Sequence, residues 1–139
     1  MSLTLAPDTL GLVIAWLQAQ TELSALVSTR VMSRLPKSKT FPLVRITRIG
    51  GTEVHGHNHW LHDPMVQVDC FAKTEQSAFD VARVASALLS QRFDGLVTAG
   101  GISAVISDAT LGGIHQGFDT VDPDLPVARF DAQFRVHPA

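Results

Sequence analysis

The densest run of titratable side chains lies at residues 55–63, His-Gly-His-Asn-His-Trp-Leu-His-Asp, four imidazoles and one carboxylate in nine positions. In an extended segment His55, His57 and His59 project to one side about 7 Å apart per step, near enough for neighbouring imidazoles to share one Zn²⁺. These three are the candidate metal ligands. A catalytic zinc also needs a ligand fixed elsewhere in the fold, an open position for water, a general base and partners that orient each ring. No residue can be assigned to those roles, and the His-x-His-x-Asp-His order of metallo-hydrolases fails because Asn58 and His59 stand where a spacer and an Asp are required. The run reads instead as a solvated loop with Gly56 and Asn58 as its turn residues.

Other chemistry is sparser. His115 sits in a Gly-rich stretch and His137 near the C-terminal end, where isolated histidines read as surface groups. Gly100-Gly101 and Gly112-Gly113 carry neither a Gly-x-x-x-x-Gly-Lys nor a Gly-x-Gly-x-x-Gly pattern and read as turns, as does Asp122-Pro123-Asp124. There is no Gly-x-Ser-x-Gly nucleophile elbow, and Asp63, Asp69, Glu75 and Asp80 lack the spacing of an acid/base pair. The sole cysteine, Cys70, falls within an apolar alternation and reads as a buried thiol in a reducing compartment. No catalytic residue and no cofactor are expected.

The remaining candidates are for contact rather than catalysis. Trp60 offers a large area at small entropic cost, as interface anchors do. Arg45 and Arg48 fall on opposite faces of one strand, so they make no joint phosphate clamp, but one of them can pair at an interface. The candidate interface residues are Trp60, His59, His62 and Arg48.

Bulk properties narrow the classes further. A chain of 139 residues is sized for one domain, 1–139, and 45% apolar against 17% charged residues argues for a packed core and a sticky surface that self-association would hide. The net charge of −2, with no Lys/Arg block, lacks the footprint of a nucleic-acid binder. The apolar run at residues 10–17 has no basic residue before it and follows Pro7-Asp8, which fits neither a signal peptide nor a membrane span.

The elements that must position these residues follow from periodicity. Asp8 caps a helix with Leu10, Val13, Ile14 and Leu17 on one face, ending near Ala19; Thr21 caps a second with Leu23, Leu26 and Val27. Residues 30–35 and 43–49 read as strands, the second closed by Gly50-Gly51. Residues 65–73 alternate, with Val66, Val68, Cys70 and Ala72 on one face and Gln67, Asp69 and Lys73 on the other, Phe71 being the apolar exception. Thr74 caps the clearest helix, striped by Ala78, Val81, Ala82, Ala85, Leu88 and Leu89. Strand material at 96–97 and 102–107 is followed by a loop over 108–126. Residues 127–136 then alternate strictly between apolar and polar side chains. The expected fold is α+β, a two-layer domain with a mostly antiparallel or mixed sheet and helices on one face, in the order ααβββαββ.

Taken in order, AWLQAQTELSALV, RVMSRLP, FPLVRITRIGG, a loop carrying Trp60, VQVDCFAKTEQSAFDVARVASALL and DLPVARFDAQFRV resemble the phage tail-completion, or tail-terminator, family over nearly the whole chain. The resemblance implies a virion protein that forms a hexameric ring at the head-proximal end of the tail tube, stops tube polymerisation and offers a surface to the head–tail connector. Its partners would be further copies of itself, the major tail tube protein and the connector. DNA would pass through the ring without sequence-specific binding, and no cofactor or membrane is involved. It would reside in the virion tail, and in the host cytoplasm during assembly. The loop at residues 50–63 is the expected contact element on one ring face. The rival readings are a head-to-tail connector or minor tail protein, a metal-dependent hydrolase built on the His-rich loop, and a small-molecule binding module with an apolar pocket.

Overall fold

The structure, a computed structural model, describes residues 5–52 and 61–139. Helix α1 (Thr9–Gln18) starts where expected, with the Asp8 carboxylate accepting from the Gly11 amide at 3.0 Å. Its buried stripe is Leu12, Val13 and Leu17 with Thr9, whereas Leu10 and Ile14 are only half-buried. Helix α2 (Thr21–Val27) corrects one expectation: Gln20 occupies the cap position without a side-chain bond, and Thr21 is the first helical residue, its hydroxyl bonded to Glu22. Helix α3 (Glu75–Gln91) is capped by Thr74, whose hydroxyl accepts from the Ser77 amide at 3.1 Å, and it buries all six residues of the stripe read from its 3.6-residue period.

Among the described residues seven strands form one sheet: β1 (Val31–Met32), β2 (Leu43–Thr52), β3 (Asp63–Phe71), β4 (Gly95–Ala99), β5 (Ile102–Leu111), β6 (His115–Phe118) and β7 (Pro126–Pro138), in the order β1-β2-β3-β7-β5-β4 with β6 also on β7. β1 is parallel to β2 and every other pair is antiparallel, so the sheet is mixed. The first expected strand shrinks to two residues. The second continues through the glycines read as its end: the register shifts between Arg48 and Gly50, and Gly51 then pairs with Pro64. Gly51 has φ +92°, and a Cβ there would sit 2.3 Å from the Asp63 carbonyl oxygen, so only glycine fits this bulge.

The larger correction concerns residues 108–126. β5 runs on to Leu111, and β6 then forms on the same side of β7. Gly112-Gly113 is not a hairpin turn. From Leu111 opposite Ala132 to His115 opposite Arg129 the chain advances four residues against three on β7, and the Gly112 amide donates to the Asp131 carbonyl at 2.8 Å. β5 and β6 are thus one interrupted strand, bulged between Ile106 and Asp108 and again at the glycines. Gly100 and Gly101, both with positive φ, do make the two-residue β4–β5 turn.

The helices cover one face. Their stripes meet Val44, Ile46, Val66, Val68, Cys70, Ala132, Phe134 and Val136 in one core, where Trp16 and Phe134 each pack edge-on against Phe93 at ring centroid separations of 5.0 and 5.1 Å. Each fully buried aliphatic side chain contributes about 1.5–3 kcal/mol relative to exposure. The opposite face carries a smaller cluster, Leu43, Phe71, Leu125 and Val127 with Leu35 and Phe41 against them, which accounts for Phe71 as the exception in its strand.

Candidate assembly surfaces

His55, His57, His59 and Trp60, the proposed ligands and anchor, lie outside the described residues. Among the described residues no group of three His, Cys, Asp or Glu side chains is placed to hold a metal ion. His62 is described and is 2% exposed, bridged through its backbone to Val136 in both directions at 2.9 and 2.8 Å. It is an anchor for the start of β3, not a surface contact. Arg48 is exposed on β2 opposite Val66, whereas Arg45 stands opposite Asp69, so the two arginines do face opposite ways. Cys70 is fully buried, and burial together with the neighbouring Asp69 carboxylate pushes its thiol far above its ordinary pKa, so it stays protonated.

The helix-free face presents a polar lattice whose members the alternation of β3 and β7 had placed on one side without revealing their partners. Arg45, Asp69, Arg129 and His115 stand directly opposite one another across β2, β3, β7 and β6. The Asp69 carboxylate is fully buried; its Oδ2 accepts from Arg45 Nε and Nη2 at 3.1 and 2.7 Å, and its Oδ1 from Arg129 Nε at 2.5 Å and Gln67 Nε2 at 3.1 Å. Arg45 also lies 5.2 Å from the Phe71 ring centroid. Farther along β7, Arg135 forms two 3.0 Å bonds to Asp63, and this pairing, with Asp108 nearby, raises the pKa of the guanidinium. Arg45, Asp69 and Arg129, and Arg135 with Asp63, are spent on one another, which braces this surface of the sheet.

Two surfaces remain uncommitted. A groove of about 660 Å³ runs between α2 and α3, lined by Leu26, Val84, Ala87 and Ile114, with Asp80 and Arg83 on its rim. Leu26, expected on the buried face of α2, is 38% exposed here. The second surface is the tip joining β6 to β7, where Val121 is 90% exposed and Phe118 55% exposed. The tip is bonded within itself: Asp119 Oδ2 accepts from the Asp122 amide at 3.1 Å, Asp122 Oδ1 from the Asp124 amide at 3.3 Å, and the Asp119 amide donates to the Leu125 carbonyl at 2.9 Å. Sequence reading recognised the turn chemistry of Asp122-Pro123-Asp124 but not that it would hold an apolar apex in solvent. The sheet edges also differ: β2 is covered only at Val44 and Arg45 by β1, and residues 107–118 have no outer neighbour among the described residues.

A family model described as tail completion protein gp17 matches residues 11–136. No curated protein matches the chain. A solved chain from a structure titled "Virion of native gene transfer agent (GTA) particle" is 16% identical, with a TM-score of 0.61 over 90% of this chain and 91% of that one, a likeness of fold. A second solved chain, also 16% identical and covering 89% of this chain and 86% of its own, superposes at a TM-score of only 0.42.

Proposed function

The chain belongs to the phage tail-completion family and is a structural protein of the tail, not an enzyme; from that premise we propose that it is the tail terminator, a ring of six copies that caps the tube and meets the head connector. The observation that carries the ring is the unlikeness of its uncommitted surfaces. An edge at residues 107–118 without an outer strand among the described residues, a partly covered edge on β2, an apolar groove and an acidic tip differ in shape and chemistry, which would suit association of one surface of a copy with a different surface of the next. Such heterologous contacts form a ring when the rotation between copies closes.

Capping then follows from geometry. One ring face would match the tube end, the other would present no tube-like surface, and further tube subunits would have nowhere to add. Residues 1–139 would act as one domain in this assembly, which takes place in the host cytoplasm. The ring encloses the DNA path without reading sequence, consistent with a net charge of −2. Trp60, His59 and Arg48 would in this scheme touch tube or connector, with His62, buried and bonded through its backbone to Val136, holding the start of β3 beside them.

The test is addition of the purified chain to polymerising tail tube protein, followed by imaging. Tubes should stop growing and carry a ring at one end. Binding to filled heads with no effect on tube growth would make the protein a connector and overturn the terminator reading.

A further inference from the structure

Cations and carboxylates are unevenly sorted along this chain. No carboxylate occurs between residues 23 and 52, and six of the eleven Lys and Arg residues fall there, spaced rather than contiguous. Three of the six, Arg34, Lys37 and Lys39, stand exposed on the loop at residues 33–42 that joins β1 to β2, and none makes an ion pair with a described residue. The tip at residues 119–125 is the converse: it holds Asp119, Asp122 and Asp124, carries no Lys or Arg, and makes no ion pair among the described residues. Loop and tip lie at the same end of the sheet, because Leu43 after the loop and Val127 after the tip share one row with Phe71 between them. They lie on opposite sides of it, because the strand order runs β1-β2-β3-β7 and β6 pairs with β7 beyond β3.

We propose that the acidic tip of one copy docks on the basic β1–β2 loop of the next, with Asp119, Asp122 and Asp124 facing Arg34, Lys37 and Lys39. The proposal rests on the ring reading above and names its contact. The occupant of the loop is a second copy because this chain carries the matching charge itself, three carboxylates against three cations, at the same end of the sheet and on its other side. Copies set side by side in one orientation bring unlike charges together at every junction. A two-fold axis at either side would instead set tip against tip or loop against loop, so the charges favour the heterologous arrangement that a ring requires. Each added copy leaves one loop and one tip free until the ring closes. The bonds within residues 119–125 hold the turn before docking, which limits the ordering cost of association.

The experiment supplies two variants of the full chain to a phage that lacks its own copy. In the first, Lys37→Glu and Lys39→Glu turn the loop acidic and leave the tip as it is. In the second, Asp119→Asn, Thr120→Lys and Asp124→Lys turn the tip basic, and Asp119→Asn keeps an oxygen to accept from the Asp122 amide. Both should keep the wild-type circular dichroism. Either variant alone opposes like charges at every junction and should lower the yield of completed tails about tenfold or more. Supplied together, the two form a ring of alternating copies in which every tip meets a loop of opposite charge, and the yield should return to near the wild-type level. Full yield from either variant alone, or no recovery from the pair, would overturn the contact and leave the ring reading in place. A loop variant that fails beside a fully active tip variant would assign the loop to another anion such as DNA and equally overturn the contact. Wild-type particles in which imaging finds no ring of this protein would instead remove the ring reading itself.

Discussion

Arg129 and Asp69, sixty residues apart in sequence, stand directly opposite each other on β7 and β3, with Arg129 Nε 2.5 Å from Asp69 Oδ1. The carboxylate has no exposure of its own, while Arg45 and Arg129 keep 28% and 43% of theirs. One buried anion therefore ties three strands, β2, β3 and β7, from below two half-solvated cations. The joined strands are the middle of the sheet, and any interface built at its edges inherits their alignment.

Replacing Asp69 by Asn keeps the shape and removes the charge. Arg45 and Arg129 then face each other across a neutral amide with only one acceptor oxygen, and stability should fall by about 2 kcal/mol, below the ~3–5 kcal/mol of a broken fully buried pair because both arginines can turn to solvent. Added salt should recover part of the loss in Asp69→Asn by screening the two cations, and recover less in wild type. Urea unfolding at low and high salt measures both. A variant as stable as wild type would show that Asp69 does not hold the strands.

Cys70 predicts a pH dependence. Its pKa is raised in the folded chain, chiefly by burial and secondarily by Asp69, so the unfolded chain loses the proton first as pH rises. The folded thiol's contribution is fully present below the unfolded cysteine value of about 8.5 and declines above it, by at most about 1.4 kcal/mol per pH unit. Cys70→Ala should remove that part of the alkaline slope. Native protein should also resist thiol reagents at pH 8 and react fully in denaturant; rapid labelling of the native chain would contradict the burial.

The caps were legible and are separately testable. Thr74 and Asp8 were read from residue type and position, and both side chains accept from the amide three residues on. Thr74→Ala and Asp8→Ala should each cost about 1 kcal/mol in thermal or chemical unfolding. Thr21→Ala should cost less, because Thr21 is the first helical residue and its hydroxyl bonds only the exposed Glu22. Equal losses at Thr21 and Thr74 would contradict this assignment.

What the sequence carried was local periodicity. The six-residue stripe of α3 and the two-residue alternation of β7 predicted buried faces correctly because each pattern depends on one element's own geometry. Pairing was not legible in that way. β3 meets β7 across sixty residues, and the order β3-β7-β5-β4 leaves no local trace. β6 was hidden by Gly112-Gly113, since glycine marks a turn and a bulge alike and all four β6 residues are exposed. Leu26 was misplaced for the opposite reason: its spacing fits an apolar face, but α2 is too short for α3 to cover all of it.

Gly51 is the position where the sequence's punctuation and the sheet's register meet. Its φ of +92° disfavours any residue with a side chain, and an added Cβ would stand 2.3 Å from the Asp63 carbonyl oxygen and 2.8 Å from the Met65 amide nitrogen, both backbone atoms that cannot turn aside. Gly51→Ala should therefore cost about 2 kcal/mol or more, through strain and the displaced β2–β3 ladder together. Gly50, with φ +133° but open space around its Cβ position, carries the conformational part alone. Gly50→Ala should lose less stability than Gly51→Ala, and amide exchange at Asp63 and Met65 should quicken only in the latter. The reverse order would mean that the bulge is held by backbone conformation rather than by the close approach of β3.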